Sequence, residues 1–131
     1  MELRNPNGSL SQPAPADLML TVNWQSEVER LLRDITGESG RLSKTIVKYP
    51  NFSIVLMVMK SNTKFPEHKS TGRISVHVLK GHIQMRILDK LVDLPAGNLI
   101  ALDREVLHDV EALDESAFIL TICCSEAGEK P

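Results

Sequence analysis

From Gly40 onward, turn-forming residues break the chain at Tyr49-Pro50-Asn51, Ser61-Asn62-Thr63, Ser70-Thr71-Gly72, Lys80-Gly81, Asp89-Lys90, Pro95-Ala96-Gly97 and Asp114-Glu115-Ser116. Between these breaks lie only short apolar runs, and a chain so divided folds into about eight strands. Short connections join antiparallel neighbours, whereas each parallel pair needs a crossover of about a dozen residues. No helical segment is left beyond Gly40 to make such crossovers. The expected fold class is therefore all-β, an antiparallel barrel or sandwich.

The 131 residues suit a single domain. Residues 1–22 carry Pro6, Gly8, Pro13 and Pro15 among Asn, Ser and Gln, and they predict a flexible arm that docks through Leu18, Met19 and Leu20. Residues 23–40 hold one short amphipathic helix and a linker. Ser26 followed by Glu29 fits a capping box, Val28, Leu31, Leu32 and Ile35 recur at helical spacing, and Gly37 ends the pattern. The β-domain is expected over 41–124, with a tail at 125–131. Within it, Phe52 to Met59 is apolar on both faces, so one face needs the barrel interior and the other a second cover. A dimer interface or the N-terminal helix would serve, and a homodimer is the expected assembly. Ile74, Val76 and Val78 share one strand face, as do Phe118, Leu120 and Ile122, and both sets are core candidates.

A formal charge of −2 and the absence of a long basic run give no general attraction for nucleic acid or anionic lipid. Neither a membrane span nor a basic segment followed by an apolar secretory run is visible, so a cytoplasmic location is expected. The two cysteines, Cys123 and Cys124, are adjacent. Strand alternation sends neighbours to opposite faces, so both are expected to be reduced.

Two intervals carry the chemistry, Asn62 to Gly81 and Gly97 to His108. The first resembles the first motif of the cupins, G(X)5HXH(X)3–4E(X)6G, and the second resembles their G(X)5PXG(X)2H. His68 falls on the first histidine, Gly81 on the closing glycine of motif one, Gly97 on the opening glycine of motif two, and His108 on its histidine. Asn62 stands in place of the first glycine, a mild change because Asn tolerates left-handed turn geometry. Ser70 and Ile74 stand where a second histidine and a glutamate are usual, and Asp103 and Glu105 replace the proline and glycine of PXG, altering the turn before His108. The resemblance implies an antiparallel cupin or jelly-roll β-barrel. It also implies that only His68 and His108 remain of the family's four metal ligands.

A catalytic transition-metal site generally needs three protein ligands. His77 should face away from Ile74, His82 should face outward, and Glu67, adjacent to His68, should point away from it if the segment is extended. A divalent transition metal is thus a possible cofactor, but none is expected to bind tightly. A pocket lined by His68, Ser70, Ile74, Val76, Met85 and His108 is expected, with Met57, Met59 and Met85 filling apolar space beside it. The leading expectation is a module that binds a small molecule in the barrel, in a sensing or accessory role. One alternative is a dioxygenase- or isomerase-type metalloenzyme on His68 and His108. The other is a structural protein acting through its dimer surface.

Overall fold

The computed structural model describes residues 19–123. The greater part of the expected arm, and the tail with Cys124, lie outside the described residues. Among the described residues a single helix, α1 (Trp24–Arg33), precedes nine strands: β1 (Arg41–Tyr49), β2 (Phe52–Met59), β3 (Lys64–His68), β4 (Arg73–Lys80), β5 (His82–Ile87), β6 (Lys90–Pro95), β7 (Leu99–Leu102), β8 (His108–Ala112) and β9 (Ser116–Cys123). They form a five-stranded sheet in the order β1-β2-β9-β4-β7 and a four-stranded sheet in the order β3-β8-β5-β6. Every strand pairing is antiparallel. No helix among the described residues is long and apolar enough to cross a membrane.

The period of two along each strand sorts side chains to one face or the other. Met57 and Met59 of β2, Ile74, Val76 and Val78 of β4, and Phe118 of β9 meet Ile83 and Met85 of β5, Leu94 of β6, and Val110 and Ala112 of β8 in one core between the sheets. The other face of the larger sheet is covered by α1. Val28, Leu31 and Leu32 pack there on Ile46, Leu56, Val58 and Ala117. Leu56, Val58 and Met59 are completely buried, so the two apolar faces of β2 have two different covers. The second cover is the helix. Removing a leucine side chain such as Leu31 from water is worth roughly 1.5–3 kcal/mol, enough to hold a ten-residue helix that would not persist alone.

The capping of α1 differs from the sequence expectation. Asn23, not Ser26, caps the helix, its side chain accepting a hydrogen bond from the Ser26 amide at 3.0 Å. Placing the cap three residues earlier brings Trp24 into the helix, where it packs at the edge of the second core. Glu27 in the first turn meets Lys44 of β1 at 2.6 Å, with the Lys44 side chain 4% exposed. Burial pushes the Lys44 amine below its usual range. The Glu27 carboxylate compensates its charge and ties the helix start to the sheet.

Cys123 is disulfide-bonded, which corrects the expectation of a reduced thiol there. The alternation argument holds within a strand, and β9 ends at Cys123.

Gly81 turns β4 into β5 with φ +81, and a Cβ there would overlap the Glu115 carbonyl oxygen and the Ser116 hydroxyl. That hydroxyl is fully buried and engaged, donating to Asp114 O at 2.7 Å and accepting from the His82 amide at 3.0 Å. Gly81→Ala should therefore cost at least about 3 kcal/mol of stability in urea denaturation, from strain and a broken network together. A loss below about 1 kcal/mol would show that the β4–β5 turn relaxes freely.

Candidate functional site

His68 and His108 are direct cross-strand partners on β3 and β8. Simple alternation from the inward-facing Phe65 would send His68 outward. A β-bulge intervenes: between the Phe65–Val110 and His68–His108 pairs, β3 advances three residues and β8 two. The extra residue turns His68 back to the face of Phe65. β3 is an edge strand, where Pro66, which has no amide hydrogen to donate, is tolerated. Glu67 is exposed.

The two imidazoles meet edge to face, ring centroids 4.3 Å apart and planes at 62°. Phe65 lies 4.6 Å from the His68 ring, and the Arg41 guanidinium sits 4.6 Å over Phe65. Each histidine has Nδ1 beside the carbonyl two residues earlier, His68 at 2.8 Å from Pro66 O and His108 at 2.9 Å from Val106 O. A carbonyl oxygen can only accept, so each Nδ1 carries the proton. In the neutral ring that leaves both Nε2 atoms as bare acceptors.

Around them lies a cavity of about 40 Å³ lined by Met57, Phe65, His68, Val76, Met85, His108, Val110, Phe118 and Leu120. Of the residues named from sequence, it brings together His68, Val76, Met85 and His108. Ser70 and Ile74 do not line it. The Ser70 hydroxyl accepts from the Gly72 amide at 3.2 Å and its carbonyl from the Glu105 amide at 2.9 Å, so it stitches two loops together. Ile74 is buried in the core beside Leu102 and Ile122. The pocket set named from sequence omits Met57, Phe65, Val110, Phe118 and Leu120, although alternation within β8 and β9 already put Val110, Phe118 and Leu120 on inner faces and Met57 was expected beside the pocket.

The turn before His108 keeps left-handed backbone geometry despite its sequence. Glu105 adopts φ 62, as Asn62 adopts φ 67 at the other motif position where glycine is usual. The expectation that Asp103 and Glu105 alter this turn is corrected to that extent. Their side chains brace it: Asp103 accepts from the Arg104 amide at 2.7 Å and pairs with Arg73 at 3.0 Å, while Glu105 meets Lys69 at 3.3 Å. The Arg104 amide and the Arg73 guanidinium hold the Asp103 carboxyl below its usual range.

Comparison with solved structures identifies the fold. A cupin superfamily protein from Desulfitobacterium hafniense matches with a TM-score of 0.65 at 14% identity, over 70% of this chain and 84% of that one. A conserved protein of unknown function from Streptococcus pyogenes matches with a TM-score of 0.69 at 17% identity, over 89% and 97%. An RmlC-like cupin from Desulfovibrio desulfuricans matches with a TM-score of 0.61 at 21% identity, over 66% and 85%. No family model and no curated protein matches the chain. The chain has the cupin fold.

The cupin fold raises the question of a metal held by three histidines and a glutamate, and the residues here do not fit that group. Ile74 offers no donor atom, Ser70 faces its own loop, and the described residues contain no cluster of three or more His, Cys, Asp or Glu arranged for a metal ion. His77 lies on the outer face of β4, opposite Ile74 and Val76. His82 is engaged on the outer face by Asp93 at 2.9 Å.

His108 is 3% exposed, and burial pushes its pKa below the ordinary 6.5; the nearby His68 lowers it further, against the opposing pull of the Val106 carbonyl and Asp109. The unfolded chain takes up a proton below 6.5 that folded His108 resists. The stability contributed by neutral His108 is thus complete above 6.5 and declines as pH falls toward the lower folded value. Denaturation measured across this window should show stability falling on acidification, with a shallower slope in His108→Gln. Equal slopes would mean that another group controls the transition.

Proposed function

We propose that this protein is a ligand-binding module, in a sensing or accessory role, whose recognition site is the His68–His108 corner of the sandwich. One observation carries the reading: two imidazoles, each oriented through Nδ1 by a backbone carbonyl, line one apolar cavity together. Ligand sites in general combine an apolar lining with a few convergent polar groups. The chemistry selects groups that seek a nitrogen lone pair, either N–H and O–H donors or a Lewis acid.

Size narrows the ligand. A cavity of about 40 Å³ is far below the roughly 300–1,000 Å³ typical of sites that enclose drug-sized molecules. Only a small group enters, and the remainder of any larger ligand stays at the mouth, where His68 is half-buried. A dioxygenase or isomerase route through His68, His108 and Glu67 finds no third ligand, because Glu67 is exposed.

The test is a screen of small polar fragments, of about ten heavy atoms or fewer, by amide NMR shifts on the full chain. Hits should cluster at Phe65, His68, Met85 and His108 and should vanish in a folded His68→Ala/His108→Asn variant. Hits that map elsewhere, or persist in that variant, would overturn the assignment.

A further inference from the structure

We propose that the ligand of this corner is a small hydroxycarboxylate, its carboxylate held by the Arg41 guanidinium in the cleft between β1 and β3 and its hydroxyl donating to Nε2 of His68. The inference rests on the reading of the corner as a ligand site and goes beyond it by naming the ligand class and the residue that selects it. β1 is an edge of the larger sheet and β3 an edge of the smaller one, so strand pairing does not close the sandwich between them. Arg41 and Ser43 stand opposite Met59 and Met57 of β2, which puts them on the inner face of β1. There they line, with Ser39, Leu42, Met57 and Phe65, a depression of about 170 Å³. It shares Met57 and Phe65 with the histidine cavity.

One stack of side chains joins the two spaces. The Arg41 guanidinium sits 4.6 Å over the Phe65 ring, that ring lies 4.6 Å from His68, and His68 lies 4.3 Å from His108. The guanidinium carbon and the His68 ring centre are therefore no more than 9.2 Å apart, the two 4.6 Å steps laid end to end. Allowing about 3 Å at each end for a hydrogen bond, a chain of a few carbons spans them. Arg41 is half-buried, its Nη1 donates to Lys64 O at 3.0 Å and its face rests on Phe65, so two contacts position it without a ligand. No carboxylate among the described residues pairs with it, whereas Arg73 is paired with Asp103. A guanidinium is a planar fork of N–H groups that matches a carboxylate with two parallel hydrogen bonds. Charge sets the class. Arg41 is the one residue lining either space that is charged when the histidines are neutral, and no Asp or Glu lines them. A monoanion is matched by that single cation, whereas a dianion such as a phosphate ester would leave a charge uncompensated against Leu42, Met57 and Phe65.

The test is an amide NMR titration of the full chain, in low-salt buffer, with three probes of nearly equal size: racemic lactate, lactamide and propionate. Lactamide removes the carboxylate and propionate the hydroxyl. Lactate should shift Arg41, Phe65 and His68 together and bind at least about tenfold more tightly than lactamide, the margin of a charge-assisted fork. It should bind about threefold or more tightly than propionate, the margin of one hydrogen bond. Arg41→Gln, checked for folding by thermal melting, should abolish the preference for lactate over lactamide. Arg41→Lys, which keeps the charge but loses the fork, should keep a reduced preference and serves in place of Arg41→Gln should that chain not fold. A smaller preference in the native chain, a preference that survives in folded Arg41→Gln, propionate binding as tightly as lactate, or lactate shifts that leave Phe65 and His68 unmoved would each overturn the inference. Neutral fragments that still bind at Phe65, His68 and His108 alongside any of those results would leave the ligand site standing and remove only the hydroxycarboxylate assignment. Loss of both would remove both.

Discussion

Burial of β2 on two sides is the constraint on which the architecture turns. One face, Met57 and Met59, belongs to the core between the sheets, and the other, Leu56 and Val58, to the core under α1. A one-residue slip of this strand would exchange the two sets and misplace both. Pairing with β9 holds the register continuous from Phe52 to Met59, while the pairing with β1 shifts once, between Thr45 and Val47. The helix is thus part of the sheet's burial. The buried Lys44–Glu27 pair and the Asn23 cap fix where it begins.

The second sheet brings in the chemistry by breaking regularity once. Without the bulge between Phe65 and His68, the His68 side chain would lie on the solvent side of β3, and His108 would stand alone in the wall. With it, two imidazoles meet edge to face and each commits Nδ1 to a carbonyl of its own strand or the turn before it. A buried polar ring is costly unless its donor is satisfied, and here the partner is two residues away. The other residues that line the cavity are Met, Val, Leu and Phe, whose side chains carry no hydrogen-bond donor.

Much of the fold was legible in the sequence because turn residues and a two-residue period are local signals. They locate the strand-rich segment after Gly40, the core faces of β4 and β9, and the double burial of β2. The helix was legible from its apolar stripe, although the cap was misplaced because Ser26 and Glu29 fit a capping pattern as well as Asn23 does. The site was legible in part. His68 and His108 stand out by spacing, while the bulge that aims His68 depends on pairing with β8, which no local signal records. Ser70 and Ile74 stand at frame positions, but the loop bonds of Ser70 and the core packing of Ile74 direct them away from the cavity. The glycine-like turn at Glu105 was illegible for the opposite reason, since tertiary bonds to Ser70 and Lys69 accompany a conformation its own side chain disfavours.

The central claim is that the two imidazoles lining one cavity each carry the proton on Nδ1, where a carbonyl holds it, and so offer Nε2 as the acceptor. Long-range proton–nitrogen NMR of the histidine rings, recorded above pH 7.5 on metal-free protein, reads this tautomer directly. The account predicts that His68 and His108 both occupy the Nδ1–H form, each with an unprotonated Nε2. Predominant Nε2–H at either ring would contradict it, because that nitrogen would then be a donor and no longer the acceptor.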